Sequence, residues 1–152
     1  MSLGLQYFNT GLKGMTTLAV LDIFKRQFGL EPAQVQSYMS MISLAWTPKL
    51  LYGIFIDTFP ICGSRKKSYL VLCGMLQALA SIAVVMTPDI TAISIVFLCF
   101  LSSLCSAVMD VVVDGLMVIM AKQDPDGGSE DLQSYSWMMM GVGGICGALL
   151  GG

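Results

Sequence analysis

Five apolar runs, each close to the roughly 20 residues a helix needs to cross a bilayer, are separated in this chain by short polar breaks. In hydrocarbon a backbone must satisfy its own N–H and C=O groups, and a helix does so within one segment. The pattern therefore predicts an all-α, polytopic membrane bundle of about five transmembrane helices. They are placed at about 3–24, 37–59, 69–86, 90–121 and 135–152. The first run is the weakest, because Asn9, Lys13 and Asp22 lie inside it. Its lack of a basic leading segment, with Lys13 at its centre, reads as the start of a spanning helix rather than a cleavable signal. Gly29 and Pro32 mark the first break, with a new helix start at Glu31 to Pro32. Pro60 with Gly63, then Pro88 with Asp89, and the polar stretch 122–134 mark the others.

Composition closes off other classes. Charged residues make up 12% of the 152 residues, against about 25% in a soluble domain. A net charge of -2 and the absence of histidine leave no basic surface for nucleic acid and no conventional zinc or catalytic constellation. No cofactor or metal site is expected. The five cysteines form no CxxC pair, and cysteines in apolar runs are packing hydrophobes and poor thiolates. No nucleophile and base stand at a plausible spacing, so an enzyme is not expected. The twelve methionines read as adaptable packing, which a flexible substrate cavity also uses.

Lysine and arginine in short loops set the orientation. Arg65, Lys66 and Lys67 follow the second run and Lys122 follows the fourth, whereas the opposite side carries Lys25 and Arg26. The 65–67 loop is therefore placed in the cytoplasm.

The charges inside the runs carry the chemistry. A lysine within a spanning segment costs about 2.5–3.5 kcal/mol on insertion scales and marks a functional site by default. Lys49, Gly53 and Asp57 recur every four residues and form one stripe on a helix. At 1.5 Å per residue, Lys49 lies roughly 18 Å from the outer start of its run and about 12–15 Å from the inner end, near the midplane. Two readings stand for it: an ammonium that attracts an anionic substrate group, or an ion pair with Asp110 or another carboxylate. Pro48 removes a backbone donor there and is expected to kink the helix. Asp110 and Asp114 lie one turn apart, with Ser102, Ser103 and Ser106 extending their face. The same arithmetic puts Asp110 about 30 Å from Ile90 and both carboxylates near the cytoplasmic end. They are candidates to carry a coupled proton, or to latch an inner gate against Arg65 or Lys66. Gly143, Gly147 and Gly151 recur every four residues, as do Gly144, Ala148 and Gly152. Such small-residue stripes allow close helix packing, with a sliding surface as the alternative. Trp46 and Trp137 are candidates to stack on a planar ligand or to anchor at the membrane interface.

Gly53, Asp57, Gly63 and Arg65 to Lys67 resemble the loop signature between the second and third helices of the major facilitator superfamily. AWTPKLLYGIFIDTFPICGSRKKSYL, then DVVVDG, then LQSYSW resemble, in order and spacing, the folate-biopterin transporter family of that superfamily. The resemblance covers nearly the whole chain. It implies a twelve-helix, proton-coupled carrier of pterins or folates, found in plastid-bearing organisms, cyanobacteria and protists. Some members carry other solutes, such as S-adenosylmethionine or amino acids. It places Lys49, Asp110 and Asp114 among the residues expected to serve the transport path, and it agrees with the residue chemistry, since folate carries carboxylates that Lys49 could neutralise and a flat pterin on which aromatics could stack. Its setting is a multi-pass protein of the plasma membrane or of a plastid or other organelle, with the bilayer and a small organic anion as partners. Against that pattern the second half and a sixth helix are missing, and Lys13 adds a charge to the first helix. The chain is therefore expected to be the N-terminal five-helix portion of such a carrier, completed by further helices. The alternative is a truncated, non-transporting subunit that contributes helices to a larger membrane assembly.

Overall fold

In the computed structural model, which describes residues 2–59, 66–86, 91–122 and 128–151, all regular secondary structure is helical. Six α-helices form five helical segments: α1 (Ser2–Asp22), α2 (Pro32–Ser43), α3 (Lys49–Thr58), α4 (Lys67–Met86), α5 (Ala92–Ala121) and α6 (Gly128–Gly151). Three stretches are long and apolar enough to cross a membrane: 32–58, 67–84 and 92–121. α1 and α6 have spanning length, 21 and 24 residues, with more polar sequences. Two compact units are formed, residues 1–27 with 113–152 and residues 28–112, and the division falls within α5.

Two boundaries differ from the sequence expectation. The second segment starts at Pro32, at the Glu31–Pro32 start signal and ahead of the apolar run that begins near 37, because Glu31 and Gln34 close a reciprocal capping box and Pro32 occupies the first turn. The last helix starts at Gly128 rather than at 135. Glu130 and Asp131 fall in its first turn, where acidic side chains oppose the positive end of the helix dipole. A polar stretch that reads as loop is thus also a favourable helix start.

In the unit formed by 28–112, the second segment is not one helix. α2 ends in a tight 3-10 turn over Leu44–Trp46, and α3 begins afresh at Lys49. Pro48 is the cause: it has no N–H to give, and its backbone stands outside the helical region at φ -88, ψ 32. The Thr47 N–H donates to the Leu44 carbonyl, and the Tyr52 hydroxyl donates to the carbonyl of buried Ala45 at 2.9 Å. Backbone polarity exposed by the break is thereby satisfied inside the protein, as a membrane setting requires. α3 is closed by Tyr69, whose hydroxyl donates to the Phe59 carbonyl. α4 and α5 pack through Cys73, Cys105 and Met109, flanked by Leu70, Leu76 and Val108. Cys73, Cys99, Cys105 and Cys146 form no disulfide; Cys62 lies outside the described residues. The outward sides of α3 and α4 are apolar, with Leu50, Ile54, Val71, Met75 and Leu79 exposed. Exposed apolar faces on this scale belong against lipid or another apolar surface.

In the other unit α1 and α6 pair through glycine. A side chain at Gly143 would run into the Phe8 carbonyl, and one at Gly11 into the Met140 carbonyl. Further along, Gly147 sits on the Leu12 backbone and Gly151 on Met15. The parallel stripe differs: a Cβ at Gly144 would meet nothing within 4 Å. Backbones approach this closely only where side chains are absent.

These contacts set opposite outcomes for two neighbouring alanine substitutions. Gly143→Ala overpacks the seam and is expected to cost roughly 1–3 kcal/mol. Gly144→Ala gains up to about 1 kcal/mol of helix propensity. Thermal unfolding in detergent micelles should show the first variant below and the second at or above the parent.

Candidate functional site

The break in the second segment presents Trp46 and Lys49 to the apolar helix α5. The Lys49 ammonium reaches Asp110 Oδ2 at 2.5 Å. The lysine side chain retains 38% of its exposure and the carboxylate 12%, so the pair stands at the edge of the buried interior. Trp46 completes the group in two ways. Its indole N–H donates to Ser103 Oγ at 3.0 Å, and its ring lies 5.9 Å from the Lys49 nitrogen, within cation–π range. Ser103, Ser106 and Asp110 follow one another at helical spacing along the face of α5 that meets them. Ser106 is fully buried, and its hydroxyl has no hydrogen-bond partner among the described residues. Such a group costs about 1–3 kcal/mol while unpaired. Gly53, one turn beyond Lys49, faces Val111 of α5, and a Cβ there would meet it at an ordinary contact distance of 3.6 Å.

The pair corrects the depths assigned from the sequence. Helix-end arithmetic puts Lys49 at the midplane and Asp110 near the cytoplasmic end, yet their side chains touch. The error lies in taking the start of α5 as the membrane boundary. A 30-residue helix is about 45 Å long, well beyond a hydrocarbon core of roughly 30 Å. Its ends therefore do not mark depth, and Asp110 stands at the level of Lys49.

Asp114 belongs to the other unit, where the Tyr7 hydroxyl donates to its Oδ1 at 2.8 Å. Of the partners expected for an inner latch, Arg65 lies outside the described residues, as does Gly63 of the loop motif. Lys66 is half-buried, and Asp57 is exposed at the end of α3. Trp137 is 63% exposed, nine residues beyond the start of α6 at Gly128. Among the described residues no cluster of three or more His, Cys, Asp or Glu is placed to hold a metal.

Two residues of these sites carry no sequence signal. Tyr7 is 107 positions from Asp114, and no periodicity links them. Tyr52 supports the break through a carbonyl seven residues back, a contact made possible only by the 3-10 turn. A tyrosine within an apolar run was the single available hint, since a phenol in hydrocarbon needs a partner.

A helical membrane bundle with a charged pair and a tryptophan on a broken spanning segment has the features of a small-solute carrier. The family comparison agrees: the model of the BT1 family matches residues 10–152, and the chain belongs to that family. It is 34% identical to the probable folate-biopterin transporter 4 of Arabidopsis thaliana over 148 residues, covering 96% of this chain and 30% of that protein. It is 33% identical to the folate-biopterin transporter of Synechocystis sp. over 149 residues, covering 96% of this chain and 29% of that one. Folate transporter 1 of Plasmodium falciparum is 29% identical over 102 residues, 64% of this chain and 20% of that protein. The chain thus spans about 30% of the length of the first of these relatives. No solved structure matches it. It is a multi-pass membrane protein of a transporter family, and the named relatives are transporters rather than enzymes.

A double-mutant cycle tests the pair. Lys49→Met leaves the Asp110 carboxylate without its cation and is expected to lower stability by roughly 1–4 kcal/mol, less than a fully buried pair because the lysine is partly exposed. Combining it with Asp110→Asn should recover at least half of that loss in thermal unfolding. Strictly additive losses would show that the contact contributes nothing.

Proposed function

We propose that this chain supplies the N-terminal helices, over residues 1–152, of a carrier for folate- or pterin-class organic anions, with Lys49 as the substrate-carboxylate site and Asp110 as its exchangeable counter-ion. The observation that carries this reading is the Lys49–Asp110 pair, held in an apolar bundle at a break in a spanning segment. A resident pair keeps the empty site neutral, which a low-dielectric setting demands. When a substrate carboxylate takes the ammonium, the site would hold two negative groups against one positive. A proton on Asp110 removes the excess: carboxylate and proton arrive together, and the net charge of the site is unchanged. Charge balance alone thus couples one proton to each carboxylate neutralised.

The neighbours support that exchange. Trp46 is fixed by Ser103 with its ring beside the ammonium, where it offers a face to a planar group on the substrate. Ser106, one turn from Asp110 and without a partner among the described residues, supplies a hydroxyl for a protonated carboxyl or a substrate oxygen. The helix break at 44–48, a 3-10 turn followed by Pro48, provides the local compliance that alternating access uses at broken helices. Folate relatives across plants, cyanobacteria and a protist support the substrate class.

Uptake of labelled folate in a folate-deficient host, with this chain expressed in its full reading frame, is the test. Lys49→Ala is expected to lower uptake at least tenfold with the protein still in the membrane, a change equivalent to about 1.4 kcal/mol or more. Lys49→Arg should retain part of it. Asp110→Asn should support exchange of folate for folate but no longer concentrate it in response to an inward proton gradient. Unchanged uptake by Lys49→Ala overturns the substrate role, and gradient-driven accumulation by Asp110→Asn overturns the coupling role.

A further inference from the structure

Where α4 and α5 pack against each other, three sulfur atoms converge. Cys73 of α4 with Cys105 and Met109 of α5 form one buried cluster, with 8%, 2% and 5% of their surface exposed. Cys105 and Met109 are one turn apart and share a face of α5. Across the helix pair, the Cys73 and Cys105 thiols stand within hydrogen-bonding reach of each other. The Met109 thioether comes to the same place: its Sδ lies 4.0 Å from where a Cβ at Gly74 would stand, beside Cys73. Leu70, Leu76 and Val108 pack around the three, so the cluster presents sulfur donors in an apolar surround.

That donor set is selective. Hard cations such as magnesium and calcium take oxygen, and zinc takes a tetrahedron that two thiols and a thioether do not complete. Thiolate and thioether sulfur together select copper(I), a soft ion that accepts few ligands. We propose that Cys73, Cys105 and Met109 form a binding site for a soft monovalent cation of the copper(I) class, which clamps α4 to α5. The ion takes the place of a thiol hydrogen: a metal–sulfur bond forms, an S–H bond breaks, and the proton passes to solvent. No electron moves, so no oxidant is required. One positive ion exchanged for one proton leaves the cluster neutral, as an apolar surround demands. The second thiol and the thioether complete the ligand set, and Cys73, the more exposed of the two thiols, is the point of entry. The site shares no residue with the Lys49–Asp110 pair, and it does not rest on the transport reading.

Anaerobic titration of the full chain in lipid nanodiscs with copper(I), in competition with the chromogenic chelator bathocuproine disulfonate, tests the site. One ion per chain is expected to be withheld from the chelator. Cys73→Ala or Cys105→Ala should abolish that retention, whereas Cys99→Ala and Cys146→Ala should leave it unchanged. Met109→Leu keeps the side-chain volume and removes the sulfur; it should weaken retention by at least about tenfold, the loss that supporting groups of metal sites cause. Two measurements on the unaltered protein do not depend on the folding of a variant. One equivalent of copper(I) should raise the thermal unfolding midpoint where zinc does not, because an ion that binds only the folded state stabilises it. X-ray absorption of that complex should show sulfur neighbours alone. No retained ion, retention indifferent to the two cysteine variants or to Met109→Leu, an equal thermal shift with zinc, or nitrogen or oxygen ligands overturns the proposal.

Discussion

The contact between Lys49 and Asp110 is the constraint around which the larger unit is arranged. Either charge alone in an apolar bundle is costly, about 2.5–3.5 kcal/mol for a central lysine on insertion scales, and the pair removes that cost only if both groups are brought to one point. Pro48 makes this possible by ending the regular helix just before Lys49, and the 3-10 turn carries Trp46 to Ser103. The freed backbone is then satisfied by Tyr52 and Thr47. A local weakness of the helix thus becomes the means by which a charge, an aromatic face and a hydroxyl are gathered on α5.

The smaller unit rests on a different physical basis. α1 and α6 meet backbone to backbone at Gly11 and Gly143, where there is little apolar side-chain area to bury. In lipid that is an adequate seam, because packing and close approach rather than the exclusion of water drive helices together. Tyr7 on α1 then reaches Asp114, so the same seam that joins the helices positions the second carboxylate. α5 therefore carries two acids with distinct surroundings: Asp110 is matched by a cation, Asp114 by a neutral hydroxyl.

Much of the helical layout is legible from hydropathy and punctuation, because a segment that must satisfy its own backbone in lipid leaves a long apolar run, and proline and glycine mark where it ends. Those signals are local. They fail at 128–134, where acidic residues read as loop are equally a good first turn of helix; at 32–36 the apolar run begins too late, and the helix follows the Glu31–Pro32 start signal into polar sequence. The break at Pro48 follows from its missing N–H, but the way the break is repaired does not.

The sequence by itself determined the class: membrane helices, a charge inside the second segment, two acids one turn apart on the fourth, and the motif blocks of a transporter family. Only the tertiary structure decided the partnerships. Lys49 with Asp110 and Tyr7 with Asp114 join residues 61 and 107 positions apart, separations at which no periodicity operates. Depth counted from helix ends misplaced Asp110, since α5 is longer than the bilayer is thick. Which glycine stripe forms the seam, 143–147–151 rather than the one through Gly144, was likewise open in the sequence. Both have the same spacing, and only the rotation of α6 against α1 distinguishes them.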